Sequence, residues 1–252
     1  MKAIILSAGQ GRRLLPLTES SPKCILPIQG QSLIEWQIDE LLRCGIDQVV
    51  AVLGYGAEQV ERILDERYRC SSQIKTLFNP FYNKADNLMS CWLAREEMRE
   101  DFILLNGDTL FDSAVLECLL TSPRHPITLA RDFKPMYDVD DMKVKLQGNR
   151  LLRIGKHLDT QPIDGESIGM LLFRGEGPSL FRTRIEQAAR KPEALQQWYL
   201  SVIDQLADSG YVWTQSIHGM EWIEIDYPVD LDRANKLVAN WLSRWQDSAL
   251  RA

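Results

Sequence analysis

The chain has 252 residues, of which 45% are hydrophobic and 25% are charged. This balance is typical of a folded globular protein and excludes a disordered one. The 35 acidic and 29 basic side chains give a net charge of −6, which argues against a surface built to bind nucleic acid. The apolar runs fall well short of the roughly 18 residues that a membrane span requires. We therefore expect neither a nucleic-acid partner nor a membrane protein.

Cysteine and histidine are distributed in a way that excludes several kinds of site. The five cysteines stand far apart in the sequence, at Cys24, Cys44, Cys70, Cys91 and Cys118. An odd, widely spaced set suits neither a disulfide framework nor a zinc knuckle, so reduced thiols that pack are expected. The three histidines show no paired spacing, which disfavours a zinc hydrolase. Because no signal peptide is recognisable, the expected location is the cytoplasm.

Short apolar runs alternate with amphipathic segments through the first two thirds of the chain, a pattern typical of βαβ units. Ser32 is placed to cap the first helix, and Gly45 to end it. The alternation predicts an α/β fold with a Rossmann-like open, mostly parallel mixed sheet and helices on both faces. The predicted strands are 2–7, 48–53, 74–78, 102–106 and 127–131, and the predicted helices are 32–43, 57–67, 86–99 and 112–120.

The pattern changes after residue 141, where strands joined by polar turns are predicted to extend the sheet over its carboxyl edge. The final helix begins with Pro228 and carries more apolar side chains than a free helix shows. It must pack on the core or on a second subunit, so monomer and homodimer both remain open. The predicted strands are 142–146, 151–156, 167–173, 211–216 and 222–225, and the predicted helices are 177–190, 195–209 and 228–245.

The densest group of candidate binding residues begins where the first predicted strand ends. It reads Leu6-Ser7-Ala8-Gly9-Gln10-Gly11-Arg12-Arg13, followed by Pro22-Lys23. Ligands of open α/β sheets bind at the carboxyl ends of the strands, and small residues there let backbone N–H groups converge on an anion. Arg13 and Lys23 add two positive charges, as a triphosphate requires. Leu14 stands where a dinucleotide-binding motif needs its third glycine, so a nicotinamide site is disfavoured.

Residues 6–28, LSAGQGRRLLPLTESSPKCILPI, resemble the signature LxAGxGxRLxPLTxxxPKxLxPI of the nucleotidyltransferases that make nucleotide-diphospho-sugars and related activated head groups. Ser7 replaces a common Ala, and Arg12 replaces a common Thr or Ser. The similarity continues through Asn106-Gly107-Asp108, Asp141-Met142-Lys143-Val144, Gly165-Glu166-Ser167-Ile168-Gly169 and Trp222-Ile223-Glu224-Ile225-Asp226. The segment from Tyr82 to Ser90 most resembles CTP:phosphocholine cytidylyltransferases.

The resemblance implies roles on the nucleotide side. Arg13 would contact the β- and γ-phosphates, and Lys23 the α-phosphate under attack. Asp108 and Asp226 would hold Mg²⁺, provided that the strands before them are parallel neighbours. The nucleotide pocket would be lined by Leu6, Ser7, Ala8, Gly9, Gly11, Asp86, Asn87 and Ser90, although a helix N-cap explains Asp86 or Asn87 equally well.

The resemblance also implies a phosphorylated acceptor, such as phosphocholine or a phosphonate. Lys156, with Lys143 as the alternative, would bind the acceptor's phosphate, and Glu166 and Tyr82 would line its pocket. Aromatic and acidic residues together suit a choline-like cation, although aromatic residues more often pack in the core. The aromatic candidates are Tyr82, Trp92, Tyr137, Trp198, Tyr199 and Trp222, which stand near Asp86, Asp138, Asp140 or Glu224. The whole chain, 1–252, is expected to form one domain in which residues 132–222 are the acceptor-side elaboration.

Two other functions remain open. The first is a sugar-1-phosphate nucleotidyltransferase that uses UTP, dTTP or GTP. The second is a non-catalytic nucleotide-sensing module on the same fold, against which the joint presence of Arg13, Lys23, Asp108 and Asp226 argues. The scarcity of histidine fits nucleotidyl transfer, because a phosphate monoester is already anionic near neutral pH and requires no general base.

Overall fold

The computed structural model describes residues 1–69, 71–158 and 162–249. Cys70 lies outside these residues, and the four other cysteines are free thiols, as expected. Within the same residues, no helix is both long and apolar enough to cross a membrane.

The strands and helices follow the predicted order, with three short strands, at 27–28, 31–32 and 109–111, that the sequence analysis did not predict. The strands are β1 (Lys2–Ser7), β2 (Pro27–Ile28), β3 (Gln31–Ser32), β4 (Gln48–Leu53), β5 (Ile74–Phe78), β6 (Phe102–Asn106), β7 (Thr109–Phe111), β8 (Ile127–Asp132), β9 (Lys143–Gln147), β10 (Arg150–Gly155), β11 (Gly165–Phe173), β12 (Val212–Ser216) and β13 (Trp222–Glu224). The helices are α1 (Leu33–Arg43), α2 (Ala57–Arg67), α3 (Asn87–Leu93), α4 (Ser113–Leu120), α5 (Gly177–Ala189), α6 (Leu200–Asp208) and α7 (Pro228–Ala249). Short 3-10 turns lie at Arg12–Leu14, Lys23–Ile25, Ala94–Glu97 and Pro192–Gln196.

The main sheet has nine strands in the order β5-β4-β1-β6-β11-β8-β12-β10-β9, and β9 also pairs with β11. Strands β5, β4, β1 and β6 are parallel, as are β8 and β12. The long strand β11 and the β9–β10 hairpin pair antiparallel with their neighbours. The α/β fold class is confirmed, with more antiparallel pairing beyond β6 than the sequence predicted.

Helices cover both faces of the sheet, because alternate strand residues point to opposite faces. On β1, Ile4 packs into a core with side chains of α3, α5 and α6. Its neighbours Ala3 and Ile5 pack into a second core with α1, α2 and α4. The carboxyl ends of β1 and β6 are therefore left at one edge between two helical layers.

The helix caps follow the sequence closely. Ser32 and Glu35 form a reciprocal capping box at the start of α1, and Asp112 caps α4 through the backbone N–H of Ala114. Helix α6 starts later than predicted, because the backbone of residues 195–197 makes hydrogen bonds to the start of α3. The carbonyl groups of Leu195 and Gln197 accept the backbone N–H groups of Asp86 and Leu88 at the start of α3.

Helix α3 is also shorter than the predicted 86–99, since it changes to a 3-10 turn after Leu93. The apolar face of α7 is covered within the chain. Ala234, Val238 and Trp241 are fully buried in a third core that includes Leu14 and Trp36. The helix therefore joins the N-terminal loop region to the rest of the molecule.

The strands before Asp108 and Asp226 are not parallel neighbours, so this prediction was wrong. After β6 the chain turns at Gly107 and Asp108 into β7, a strand that the sequence analysis missed. Strand β7 pairs antiparallel with β13 in a separate two-stranded ribbon. The two aspartates meet because this ribbon brings the segment after β13 back to the turn after β6.

Candidate active site

The glycine-rich loop after β1 lies against the segment that carries Lys23. Gly11 has a φ of 77°, and a Cβ there would lie only 2.8 Å from Cβ of Lys23. Only glycine combines this left-handed backbone with so close an approach. The hydroxyl of Thr18 donates to the carbonyl of Gly11 at 2.8 Å and closes the loop. The loop thus fixes the position of Lys23.

Backbone hydrogen bonds hold Asp108 and Asp226 together. The N–H of Ile225 donates to the carbonyl of Asp108 at 3.0 Å, which extends the β7–β13 ribbon to the two acids. The carboxylate of Asp230, in the first turn of α7, accepts the N–H groups of Asp226 at 3.2 Å and Tyr227 at 2.9 Å. Asp226 is therefore positioned by its backbone and keeps its carboxylate available to the cleft.

The two predicted cations lie on these acids. Nζ of Lys23 lies 3.1 Å from Oδ2 of Asp108 and 2.8 Å from Oδ1 of Asp226. Nη2 of Arg13 lies 2.7 Å from the other oxygen of Asp226. Burial opposes the charge of Lys23, but the carboxylates of Asp108 and Asp226 outweigh it and raise its pKa above the usual value. Lys23 therefore stays protonated.

Glu224 is a third acid at this position, and the sequence analysis did not assign it to the metal. Carboxylate oxygens of Glu224, Asp108 and Asp226 lie within 4.8 Å of one another. Although Glu224 is accessible from the cleft, desolvation by the surrounding protein and repulsion from Asp108 and Asp226 raise its pKa to about 8. Its position two residues before Asp226 could have indicated this role from the sequence, since alternate residues of an extended segment point to the same side.

These acids suit a hard divalent cation. Oδ1 of Asp108 is buried and has no hydrogen-bond partner among the described residues, which leaves a carboxylate oxygen available for a ligand. Oxygen donors with several negative charges are what Mg²⁺ prefers. The residues that would hold the ion are Asp108, Asp226 and Glu224.

A cavity of about 410 Å³ opens beside Lys23 and collects most of the predicted nucleotide residues. Its walls include Leu6, Ala8, Gly9, Gly11, Arg13, Lys23, Asp86, Asn87 and Ser90. Ser7 does not line it, because its hydroxyl is buried against the turn at Gly107. Asp86 occupies the N-cap position of α3 but makes no capping hydrogen bond, so its side chain remains free to contact a ligand in the cavity.

Tyr82 lies in the same cavity, with the predicted nucleotide residues and not with the other predicted acceptor residues. The reason is its position against the strand ends: a Cβ on Gly54 would come within 2.4 Å of Cβ of Tyr82. Tyr82 also contacts the rings of Tyr55 and Phe78 edge to face. Its aromatic ring therefore borders the glycine-rich loop.

The two candidate acceptor lysines have different surroundings. Lys156 faces the cleft, where its Nζ lies 3.2 Å from Oδ1 of Asp140 and 4.4 Å from the ring centre of Trp198. Lys143 instead donates to the backbone carbonyls of Asp138 and Lys156, so it joins two chain segments and does not reach the cleft. Of the two, the structure brings Lys156 to Arg13 and Asp226.

Glu166 lies in a larger cavity of about 660 Å³ on the other side of Arg13 and Asp140. Its carboxylate accepts from Nζ of Lys134 at 3.0 Å, and burial raises its pKa to about 7. This cavity is called here the acidic cavity, because the carboxylates in its lining outnumber the cations. The carboxylates are Asp132, Asp138, Asp140, Asp141, Glu166, Glu224, Asp226 and Asp230, the cations are Arg13, Lys134 and Arg233, and the aromatic walls are Trp222 and Tyr227.

Other aromatic candidates serve the fold. Tyr199 is fully buried and donates its hydroxyl to Oδ1 of Asn106. Trp92 packs on the core and stacks with Arg95 outside the cleft. Trp222 and Trp198 are different, since Trp198 lines the cleft beside Lys156, and Trp222 lines the acidic cavity and donates its indole N–H to Asp132 at 2.8 Å.

Comparison with known proteins agrees with this geometry. Residues 2–124 match the family model described as Nucleotidyl transferase. Over 93% of its length, the chain is 28% identical to CMP-5'-(3-aminopropyl)phosphonate synthase of Streptomyces rubellomurinus, covering 38% of that protein. Over 44% of its length, it is 37% identical to choline-phosphate cytidylyltransferase of Streptococcus pneumoniae, covering 46% of that protein. The two sequence matches thus cover less than half the length of these relatives.

Two solved structures share the fold. The inositol-1-phosphate CTP transferase of T. maritima superimposes with a TM-score of 0.80 at 22% identity, over 94% of both chains. The CTP:phosphocholine cytidylyltransferase of Streptococcus pneumoniae gives a TM-score of 0.76 at 22% identity, over 94% of this chain and 98% of that one. These two structures show the fold that the chain shares, and its sequence similarity to the nucleotidyl transferase family model extends over residues 2–124.

Proposed function

We propose that the protein catalyses Mg²⁺-dependent transfer of a nucleotidyl group, CMP from CTP, to a small phosphorylated alcohol or phosphonate such as phosphocholine, and releases pyrophosphate. The observation that carries this proposal is the meeting of Lys23 with Asp108 and Asp226 beside the glycine-rich loop. The choice of CTP rests on the names of the relatives, which include enzymes for choline phosphate and an aminopropylphosphonate.

The proposed reaction joins an oxygen of the acceptor's phosphate to the α-phosphorus and breaks the bond to pyrophosphate. The acceptor's phosphate is the nucleophile, since its second pKa lies near 6 and it is ionised at neutral pH. Lys23 donates to an oxygen of the α-phosphate, and Arg13 neutralises the departing phosphates. Asp108, Asp226 and Glu224 would hold the Mg²⁺ ion, which would further neutralise the phosphate charge when bound. Catalysis then consists of aligning two anions and balancing their charge.

The acceptor side supports a substrate with a phosphate at one end and a cation at the other. Lys156 offers a positive charge next to Arg13 and Asp140, where an acceptor phosphate is within reach of the nucleotide cavity. Beyond them, the acidic cavity provides carboxylates and the rings of Trp222 and Tyr227. A quaternary or primary ammonium is attracted by both kinds of group.

The experiment that tests this function measures pyrophosphate release. CTP, UTP, GTP, ATP and dTTP are each combined with phosphocholine, 2-aminoethylphosphonate or a sugar 1-phosphate, in the presence of Mg²⁺. We expect release with CTP and a cation-bearing acceptor. Release only with a sugar phosphate and UTP, dTTP or GTP favours sugar-nucleotide synthesis instead. No release with any pair argues for a nucleotide-sensing module.

A further inference from the structure

The carboxylate of Asp140 bridges two cations of the cleft. Its Oδ2 lies 3.1 Å from Nη1 of Arg13, and its Oδ1 lies 3.2 Å from Nζ of Lys156. These are the two charges to which the proposed function gives the nucleotide tail and the acceptor's phosphate. A carboxylate with one oxygen on each cation therefore occupies the position of a substrate phosphate.

We propose that Asp140 is a specificity-determining residue. Its carboxylate pairs with Arg13 and Lys156 until the substrates' phosphates replace it there. The released carboxylate then pairs with the cationic end of a zwitterionic acceptor. The inference rests on the proposed nucleotidyl transfer and concerns which acceptors the same cleft accepts.

Substrate phosphates bind Arg13 and Lys156 more strongly than the carboxylate of Asp140 does. A phosphate monoester carries close to two negative charges at neutral pH and has three terminal oxygens, whereas a carboxylate carries one charge on two oxygens. Hydrogen bonds from Arg and Lys strengthen with the charge of the acceptor oxygen. With the nucleotide on Arg13 and the acceptor's phosphate on Lys156, Asp140 loses both partners.

The segment that carries Asp140 is built to let its carboxylate move. Its tip makes little apolar contact, because Met136 is 84% exposed and Val139 is 74% exposed. Its base is held in place by Lys134, whose Nζ lies 2.7 Å from Asp141 and 3.0 Å from Glu166. A change of the Asp140 side chain therefore removes no buried apolar surface and leaves the base of the loop unchanged.

Asp140 also stands at the boundary between two cavities. It lines the small cavity that holds Lys156, Asp108 and Asp226, and it lines the acidic cavity of about 660 Å³. Once released, its charge faces the acidic cavity, where Glu166 and Asp141 already share Lys134. A further unpaired carboxylate there is unfavourable unless the ligand brings a positive charge.

This arrangement distinguishes acceptors by the charge that they carry at the end opposite their phosphate. With the nucleotide on Arg13, a phosphate ester of an uncharged alkyl group takes Lys156 from Asp140 and leaves its carboxylate without a partner. A zwitterion of the same shape supplies a new partner, since its phosphate binds Lys156 and its ammonium binds the carboxylate. Discrimination between the two thus depends on Asp140.

The test compares phosphocholine with 3,3-dimethylbutyl phosphate, which has the same shape and lacks the positive charge. For each acceptor, kcat/KM is measured with CTP and Mg²⁺ for the wild type and for Asp140→Asn. We expect the preference for phosphocholine to fall about three- to fivefold in the variant, the range of a partly exposed ion pair. An unchanged preference, with both values altered equally, overturns the proposal.

A second measurement needs no catalysis. Calorimetric titration with inorganic phosphate should show about threefold tighter binding to Asp140→Asn, because the competing internal anion is gone. Asp138→Asn is the matched control, since it removes the same charge from the same loop without touching Arg13 or Lys156, and its phosphate affinity should change by less than about twofold. Equal gains in both variants overturn the bridging role. Absence of pyrophosphate release by the wild type refutes the proposed function, whereas this titration still decides whether Asp140 competes with phosphate.

Discussion

Nζ of Lys23 lies 2.8 Å from Oδ1 of Asp226, although 203 positions separate the two residues in the chain. The contact joins the loop after the first strand to the segment that leads into the last helix. Neither residue could take this position without the β7–β13 ribbon and the close approach of Gly11.

The first prediction concerns the acids around Lys23. Replacing Glu224 by Gln should weaken Mg²⁺ binding about tenfold, because the number of carboxylates sets the affinity of such sites. Asp108→Asn and Asp226→Asn should weaken it at least as much. Titration calorimetry with Mg²⁺, repeated with Mn²⁺, measures the effect. Asp232→Asn, on an exposed position of α7, is the control with the same charge change. Equal affinity in Glu224→Gln and the control excludes Glu224 from the ion's ligands.

The second prediction concerns the glycine-rich loop. Gly11→Ala should lower the free energy of unfolding by about 1–2 kcal/mol, the usual penalty for a left-handed alanine. It should also reduce activity, since the added Cβ would displace Lys23. Gly45→Ala is a matched control: its φ is 80° and no atom lies within 4 Å of an added Cβ. We expect similar losses of stability on denaturant unfolding, but reduced turnover only for Gly11→Ala. Normal turnover in Gly11→Ala contradicts the link between this glycine and Lys23.

The third prediction is a pH dependence of stability from Glu40. This side chain is fully buried on α1, and Oε1 lies 3.1 Å from Nη1 of Arg43. Burial raises its pKa to about 7, whereas the unfolded chain titrates near 4.3. Between these two pKa values Glu40 is protonated in the folded state and ionised in the unfolded chain. The stability that Glu40 contributes is therefore complete below about pH 4 and is lost as the pH rises through 7.

Glu40→Gln should therefore gain stability relative to the wild type as the pH increases. The gain between pH 5 and pH 8 should be about 2–3 kcal/mol in urea unfolding, because one pKa unit corresponds to about 1.4 kcal/mol. Glu58→Gln, an exposed position on α2, should follow the wild-type profile. A constant difference between Glu40→Gln and the wild type across this range rules out ionisation of Glu40 as the cause.

Local features of the fold could be predicted from the sequence because their signals are short-range. The capping residues Ser32 and Asp112 and the glycine-rich loop each depend on a few adjacent residues. Asp108 and Asp226 meet as predicted, but the β7–β13 ribbon brings them together and not a pair of parallel neighbouring strands. Pairing of β7 with β13 depends on contacts between segments about a hundred residues apart, and three-residue strands give little periodic signal.

The site residues divide in the same way. Arg13 and Lys23 belong to a continuous motif, and they converge as the motif implies. Tyr82 and Lys143 were assigned to the acceptor by the resemblance, but side-chain direction decides such assignments. Tyr82 lines the cavity beside Lys23 with the predicted nucleotide residues, and Lys143 donates to backbone carbonyls. The sequence indicated Asp140 only as one of several acidic residues near the aromatic candidates, because its place between two cations appears only in three dimensions.

The central claim is that Lys23 acts on the α-phosphate and serves the fold only secondarily. The most direct test is the rate of pyrophosphate release from CTP and phosphocholine at saturating Mg²⁺, for the wild type, Lys23→Ala and Lys75→Ala, a lysine on β5 outside the cleft. We predict a loss of at least about 100-fold in kcat for Lys23→Ala, with a fall in Tm of no more than about 5 °C and an unchanged rate for Lys75→Ala. A rate for Lys23→Ala close to that of the wild type would contradict the account.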